Sequence, residues 1–185
     1  MTKLPKPLAI ITTSSTLVFL IIYKFKKESV FLTFTVLSAV FAYHFITKIF
    51  VGKIFNNIYQ NNVNENLKIF KERKFEKPLY KFLKVRKWKD KMPSENINDF
   101  NLEEHTIIEV IKATCQAELV HDLNLIFALL PLILIIFTNF GAIIIPTSII
   151  SFLGDTPFII IQRYNRPRLI KLSKKIERKN YEKSL

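Results

Sequence analysis

Apolar residues fall in four long blocks along the chain, Leu8 to Tyr23, Val30 to Ile46, Leu123 to Phe137 and Phe140 to Ile161, separated by strongly polar stretches. A helix that crosses a bilayer needs roughly 17 to 25 mainly apolar residues, so the blocks predict about four transmembrane helices. Helices satisfy their backbone amides and carbonyls internally where no water can, and abundant Ile and Phe with only 3 Gly let each block be helical throughout. The expected fold class is all-α integral membrane, a single membrane domain over 1–185. It divides into spans at about 8–23, 30–46, 123–137 and 140–161, a polar segment 48–121 and a basic tail 162–185.

The polar segment has its own pattern. From Lys53 to Lys84, Phe, Ile, Leu and Tyr alternate with Lys and Asn (KIFNNIYQ, LKIFKERKFEKPLYKFL), which predicts amphipathic helices at the membrane interface, with Asn56 to Asn66 looser. A compact run from Val85 to Pro93 follows, then a loop from Ser94 to Asn101. From Leu102 the apolar residues return at helical spacing through Leu119, so a new helix is expected to lead straight into the third span.

Charge sets the expected orientation. The 28 Lys+Arg outnumber 15 Asp+Glu, for a net charge of +13. Two lie before the first span, 3 in the turn after it, 14 between Lys48 and His121, and 9 after Ile161. The positive-inside rule then predicts a multi-pass protein of the cell membrane, with both termini, the 48–121 segment and its interfacial helices on the cytoplasmic side. The three lysines of Lys24 to Lys27 would lie opposite, leaving open whether 8–23 fully spans. A cleaved signal peptide is not expected, because charge rather than a small-residue site follows the first block. A single cysteine, Cys115, excludes a disulfide framework. Basic residues that track the membrane boundary point to anionic lipid or a phosphorylated substrate as partners, and not to nucleic acid.

Two clusters could carry chemistry. Glu118 and His121, three residues apart, project from one face of a helix near its entry into the membrane. A histidine near neutral pKa can take a proton from a hydroxyl, and a carboxylate beside it can fix its tautomer; equally, the pair could only position the helix. The second cluster is Gln162-Arg163-Tyr164-Asn165-Arg166-Pro167-Arg168, just past the fourth span. Its arginines serve as membrane anchors or as planar forks for phosphate or carboxylate, and Gln162 and Asn165 add neutral donors. A short connection around Asn139 makes the last two spans a hairpin, which should bring His121 near Arg163, with Arg86, Trp88 and Lys89 at the same level. Asp155, inside the fourth span, should face the bundle and line the inner end of a cavity, since a carboxylate facing lipid is costly. His44 and Cys115 read more simply as packing residues, although a thiol nucleophile at Cys115 is conceivable. Gly-rich phosphate loops, a nucleophile elbow, Cys-x-x-Cys and a His-x-x-x-x-Asp acyltransferase signature are all missing.

In order and spacing, RKWK, TCQAELVH and P-x-x-x-x-QRYNRPRL resemble the glycosyl-4,4'-diaponeurosporenoate acyltransferase family of staphyloxanthin-type carotenoid synthesis. The resemblance covers about Val30 to Leu172, with Arg86, Trp88 and Lys89; Thr114, Ala117, Glu118 and His121; and Pro157, Gln162, Arg163, Tyr164, Asn165, Arg166, Arg168 and Leu169 on motif positions. It implies transfer of a fatty acyl group to a sugar hydroxyl, the C6 position of the glucose on a glycosylated carotenoid or a related glycolipid, with an acyl thioester as co-substrate. In the expected mechanism His121 is the base and Glu118 its orienting partner. Arg163, Arg166 and Lys89 hold the anionic part of the donor, and Asn165 or Gln162 the oxyanion, with no metal and no cofactor. Two alternatives stay open. One is a metal-dependent lipid-modifying enzyme with Glu118, His121, His105 and Glu109 as ligands, for which 3 histidines are few. The other is a non-catalytic lipid-binding scaffold.

Overall fold

The computed structural model describes residues 5–92 and 98–184, and residues 94–97 of the expected loop lie outside them. The first two apolar blocks lie within helices longer than the blocks themselves, and the last two do so except for Phe137 and Phe140 at the turn between them. Helix α1 is Pro5–Lys26 and α2 is Ser29–Tyr59. Two short helices follow, α3 at Glu76–Phe82 and α4 at Val85–Trp88. Helix α5 is Ile107–Leu129, continued as a 3-10 segment over Leu130–Ile136, and α6 is Gly141–Ser184. No strand occurs among the described residues. Four stretches, Pro5–Lys26, Ser29–Tyr59, Ile107–Ile136 and Gly141–Glu182, are long and apolar enough to cross a membrane.

The boundaries differ from the expected ones for local reasons. Helix α2 runs past Ile46 because no Pro follows to stop it; it ends where Gln60 and Asn61 turn left-handed, at φ 46° and 60°. The Asn61 N–H is received by the Gln116 side chain at 2.7 Å, so a buried amide on α5 holds that turn. Helix α5 starts after Thr106 rather than at Leu102. Thr106 and Glu109 form a reciprocal cap: Glu109 N–H donates to Thr106 Oγ1 at 3.3 Å, and Thr106 N–H donates to Glu109 Oε2 at 2.8 Å. Between Tyr59 and α3 the described backbone has one 3-10 turn, Lys68–Phe70, where amphipathic helix was expected. Pro131 has no amide hydrogen, and the chain tightens there from α to 3-10.

The chain folds as two compact units. The first holds the residues up to Ile54 with Asp122–Thr156; the second holds Phe55–His121 with the residues from Pro157 onward. In the first unit α1 and α2 are antiparallel neighbours joined by two residues. Thr16 Oγ1 meets Ser38 Oγ at 3.1 Å, and the Phe19 and Phe34 rings stack at 5.3 Å. The Tyr43 hydroxyl donates to the Phe127 carbonyl at 3.0 Å, tying α2 to α5. This unit buries small and polar side chains, among them Ser38, His44, Asn124, Ser148 and Asp155, while Ile10, Ile21, Ile133 and Ile150 are exposed. Lipid is as apolar as leucine, so such an arrangement suits hydrocarbon as the surrounding solvent.

Candidate active site

In the second unit three contacts set the pairing of α5 with α6. Thr114 meets Arg166, Glu118 meets Arg163, and His121 meets Phe158. Residue numbers rise on α5 as they fall on α6, so the helices run antiparallel here and the two motif-bearing stretches face each other.

Two carboxylates and two guanidinium groups form the centre of this face. Arg163 donates from Nη1 to Glu118 Oε1 at 2.5 Å, and from Nε and Nη2 to Glu76 Oε1 at 2.9 and 2.5 Å. Arg166 reaches Glu118 Oε2 from Nη2 at 2.5 Å. Glu118 thus bridges both arginines, and Glu76, at the start of α3, neutralises the second charge. Arg166 is 1% exposed and Glu118 2%. Charges so deeply buried hold only when they are paired, and each is paired here, although Glu118 Oε2 meets Arg166 as an ion pair without hydrogen-bond geometry.

The remaining guanidinium donors hold backbone. Arg163 donates to the carbonyls of Ile69 at 2.9 Å and Lys71 at 3.1 Å. Arg166 donates to the Thr114 hydroxyl and carbonyl, each at 3.0 Å, and to the Phe70 carbonyl at 3.5 Å, with its guanidinium 4.8 Å from the Phe70 ring centre. The irregular stretch before α3 is therefore fixed by planar forks that a lysine could not reproduce. The Tyr80 hydroxyl donates to Glu76 Oε2 at 2.8 Å. Burial, and then that hydrogen bond, push the Tyr80 hydroxyl above its ordinary pKa, so it stays protonated and donating through the physiological range.

His121 is buried one turn beyond Glu118, its imidazole nearly parallel to the Phe158 ring at 4.8 Å between centres. Gln162 and Asn165, half-buried on α6, make no side-chain hydrogen bond among the described residues. Arg168 lies over the Tyr164 ring, 3.5 Å from its centre, and donates to the Tyr164 carbonyl. Trp88 donates to the Leu83 carbonyl at 2.9 Å and packs with Leu83 and Ile160 around Tyr80, Val85 and Tyr164. The RKWK stretch is thereby brought against α6. Arg86 is exposed nearby, and Lys89 pairs with Asp90 at 2.5 Å. Asp155 belongs to the other unit, where it pairs with Lys48 at 2.8 Å and accepts from Asn124 at 3.5 Å.

Sequence reasoning missed Glu76 and Lys48, and gave Thr114 a motif position without a role. Glu76 is one of two acids in a basic run and carries no local signal. Cys115 is fully buried with Val63, Phe70 and Leu119. His105 pairs with Glu109 at 3.8 Å on the surface. Among the described residues no three His, Cys, Asp or Glu converge as a metal cage would require.

The family model for glycosyl-4,4'-diaponeurosporenoate acyltransferase matches residues 66–175, which contain all of this network. Among curated proteins, the glycosyl-4,4'-diaponeurosporenoate acyltransferase of Staphylococcus aureus strain Newman is 31% identical over 150 residues, covering 74% of this chain and 87% of the relative. The protein of the same name from strain MRSA252 is 35% identical over 126 residues, 60% of this chain and 72% of the relative. No solved structure matches.

Proposed function

The chain belongs to the glycosyl-4,4'-diaponeurosporenoate acyltransferase family, and from that premise we propose that it moves a fatty acyl group from a thioester onto a sugar hydroxyl of a glycosylated carotenoid or related glycolipid. The observation that carries the proposal is convergence: the second unit gathers the arginines of QRYNR, Glu118 and His121 of TCQAELVH and the Trp88 stretch about one helix pair.

His121 removes the proton of the sugar hydroxyl as its oxygen attacks the thioester carbonyl. The new C–O bond forms, the C–S bond breaks, and the proton passes from the imidazolium to the departing thiolate. Gln162 and Asn165 offer amide hydrogens to the oxyanion. Glu118 acts differently from a simple partner of His121: it locks Arg163 and Arg166, and so fixes the helical turn that presents the imidazole. The stacked Phe158 ring limits rotation of that imidazole. Apolar tails of donor and acceptor fit a protein whose helices are suited to a bilayer. The distribution of basic residues supports insertion in the cell membrane with both termini cytoplasmic.

His121→Gln keeps size and polarity but removes the base. In membranes supplied with labelled acyl thioester and glycosylated acceptor, product formation should fall about a hundredfold or more while the protein still inserts. Undiminished product would exclude the proposed base.

A further inference from the structure

Beside the buried network lies a cavity of about 540 Å³ whose charge is not balanced. One wall comes from α3 and the turn into α4, where Lys84 adopts a left-handed φ of 51° and so sets Lys81, Lys84, Arg86 and Lys87 about one space. The facing wall is a single stripe of α6: Tyr164, Pro167, Arg168 and Lys171, at spacings of three, four and seven. Glu72 is the one acid in the lining, and Lys77 already neutralises it at 3.4 Å. Six further cations, Lys81, Lys84, Arg86, Lys87, Arg168 and Lys171, have no acidic partner among the described residues. The aromatic wall is packed: the Tyr80 and Tyr164 rings meet edge to face at 5.4 Å, and the Arg168 guanidinium carbon sits over the Tyr164 ring, 3.5 Å from its centre.

The geometry points to this cavity as the receptor for the phosphorylated nucleotide end of a coenzyme A thioester, which rests on the acyl-transfer reading above and names its donor. Arg163 and Arg166 already spend their charge on Glu76 and Glu118, so the polyanionic part of a donor must be met by other cations, and these are the ones left over. Six uncompensated cations match a ligand with several phosphate charges rather than one carboxylate. A concave volume of 540 Å³ falls in the range of small-molecule sites, whereas an acidic carrier protein would be met by a broad, shallow face. Exposed lysines at a bilayer also attract anionic headgroups, but a guanidinium and aromatic rings in one wall offer stacking partners for a purine, which a headgroup lacks.

The test uses the full chain in nanodiscs of zwitterionic lipid, with coenzyme A, adenosine 3',5'-bisphosphate and pantetheine titrated separately. Coenzyme A and the bisphosphate should bind, more weakly as salt rises, and pantetheine should not. Lys84→Gln with Arg86→Gln should weaken both nucleotides about tenfold or more. Lys174→Gln with Lys175→Gln, an equal loss of charge on exposed positions of α6 that do not line the cavity, should leave binding intact. Equal weakening by both double variants would overturn the site. So would binding of an acyl carrier protein without binding of coenzyme A, or competition by phosphatidylglycerol vesicles where the bisphosphate has no effect. Because binding is read without turnover, failure of the acyl-transfer reading would show instead as nucleotide binding with no product from any donor.

Discussion

Each unit buries an acid–base pairing, but the two differ in how the charges are closed off. In the first, one carboxylate, Asp155, meets one ammonium, Lys48, whose side chain is still 26% exposed. In the second, two carboxylates and two guanidinium groups satisfy one another at side-chain exposures of 14% or less, and spare donors reach backbone carbonyls. A lysine with its head near solvent can be lost or reoriented at modest cost. An arginine sealed in a closed network cannot, because it leaves buried acceptors short of a donor that nothing else can replace. The first pairing is thus a tolerated charge in an otherwise apolar unit, and the second is the frame on which its unit is built.

The largest test of that contrast is Arg166→Lys. Conservation of charge should not rescue it, since lysine cannot reach Glu118, Thr114 and Phe70 together; a loss of about 3 to 5 kcal/mol is expected, read as lost thermal stability in detergent. Near wild-type melting would mean that charge alone matters. A smaller effect is expected at the other pair. Asp155→Leu combined with Lys48→Met should be more stable than Lys48→Met alone, by about 1 to 3 kcal/mol, because the single change takes the lysine cation away from a buried acid. Strict additivity of the two would break the comparison. Smaller again is Tyr80→Phe, which removes one hydrogen bond to a charged acceptor and should cost about 2 kcal/mol. Thr16→Val is the least: the hydroxyl contact to Ser38 between two helices suited to lipid should be worth about 0.6 kcal/mol, measured by unfolding in mixed micelles.

Much of the architecture was legible because hydropathy speaks directly to length. Four apolar blocks gave four long helices, and the Asn139 turn gave the hairpin of the last two. The boundaries were less legible, since helices continue until something ends them. The Thr106–Glu109 cap is written in the sequence as T-I-I-E and marks the start of α5, yet apolar spacing alone suggested an earlier one. Helix α6 carries on through the basic tail, where falling hydropathy ends the span but not the hydrogen-bond ladder. In the site, spacing on a single helix correctly placed Glu118 and His121 one turn apart, and the hairpin put their helix against the QRYNR stretch. What spacing could not disclose was ownership of charge. The arginines expected to meet an anion are already neutralised, and half of that neutralisation comes from Glu76, 87 residues before Arg163. Partners at that separation leave no local pattern.

The clamp on the backbone before α3 also bears on biogenesis. The carbonyls of Ile69, Phe70 and Lys71 find their donors 94, 96 and 92 residues downstream. A ribosome delivers the amino-terminal side first, so this stretch leaves the exit tunnel well before the arginines that will hold it. During that interval it has its own short-range turns and the packing of Phe70 with Val63 and Cys115 to shape it, but not the donors for its carbonyls. Completion of this backbone clamp is thereby tied to synthesis of the last helix, because a chain ending before Arg163 lacks every guanidinium donor to it.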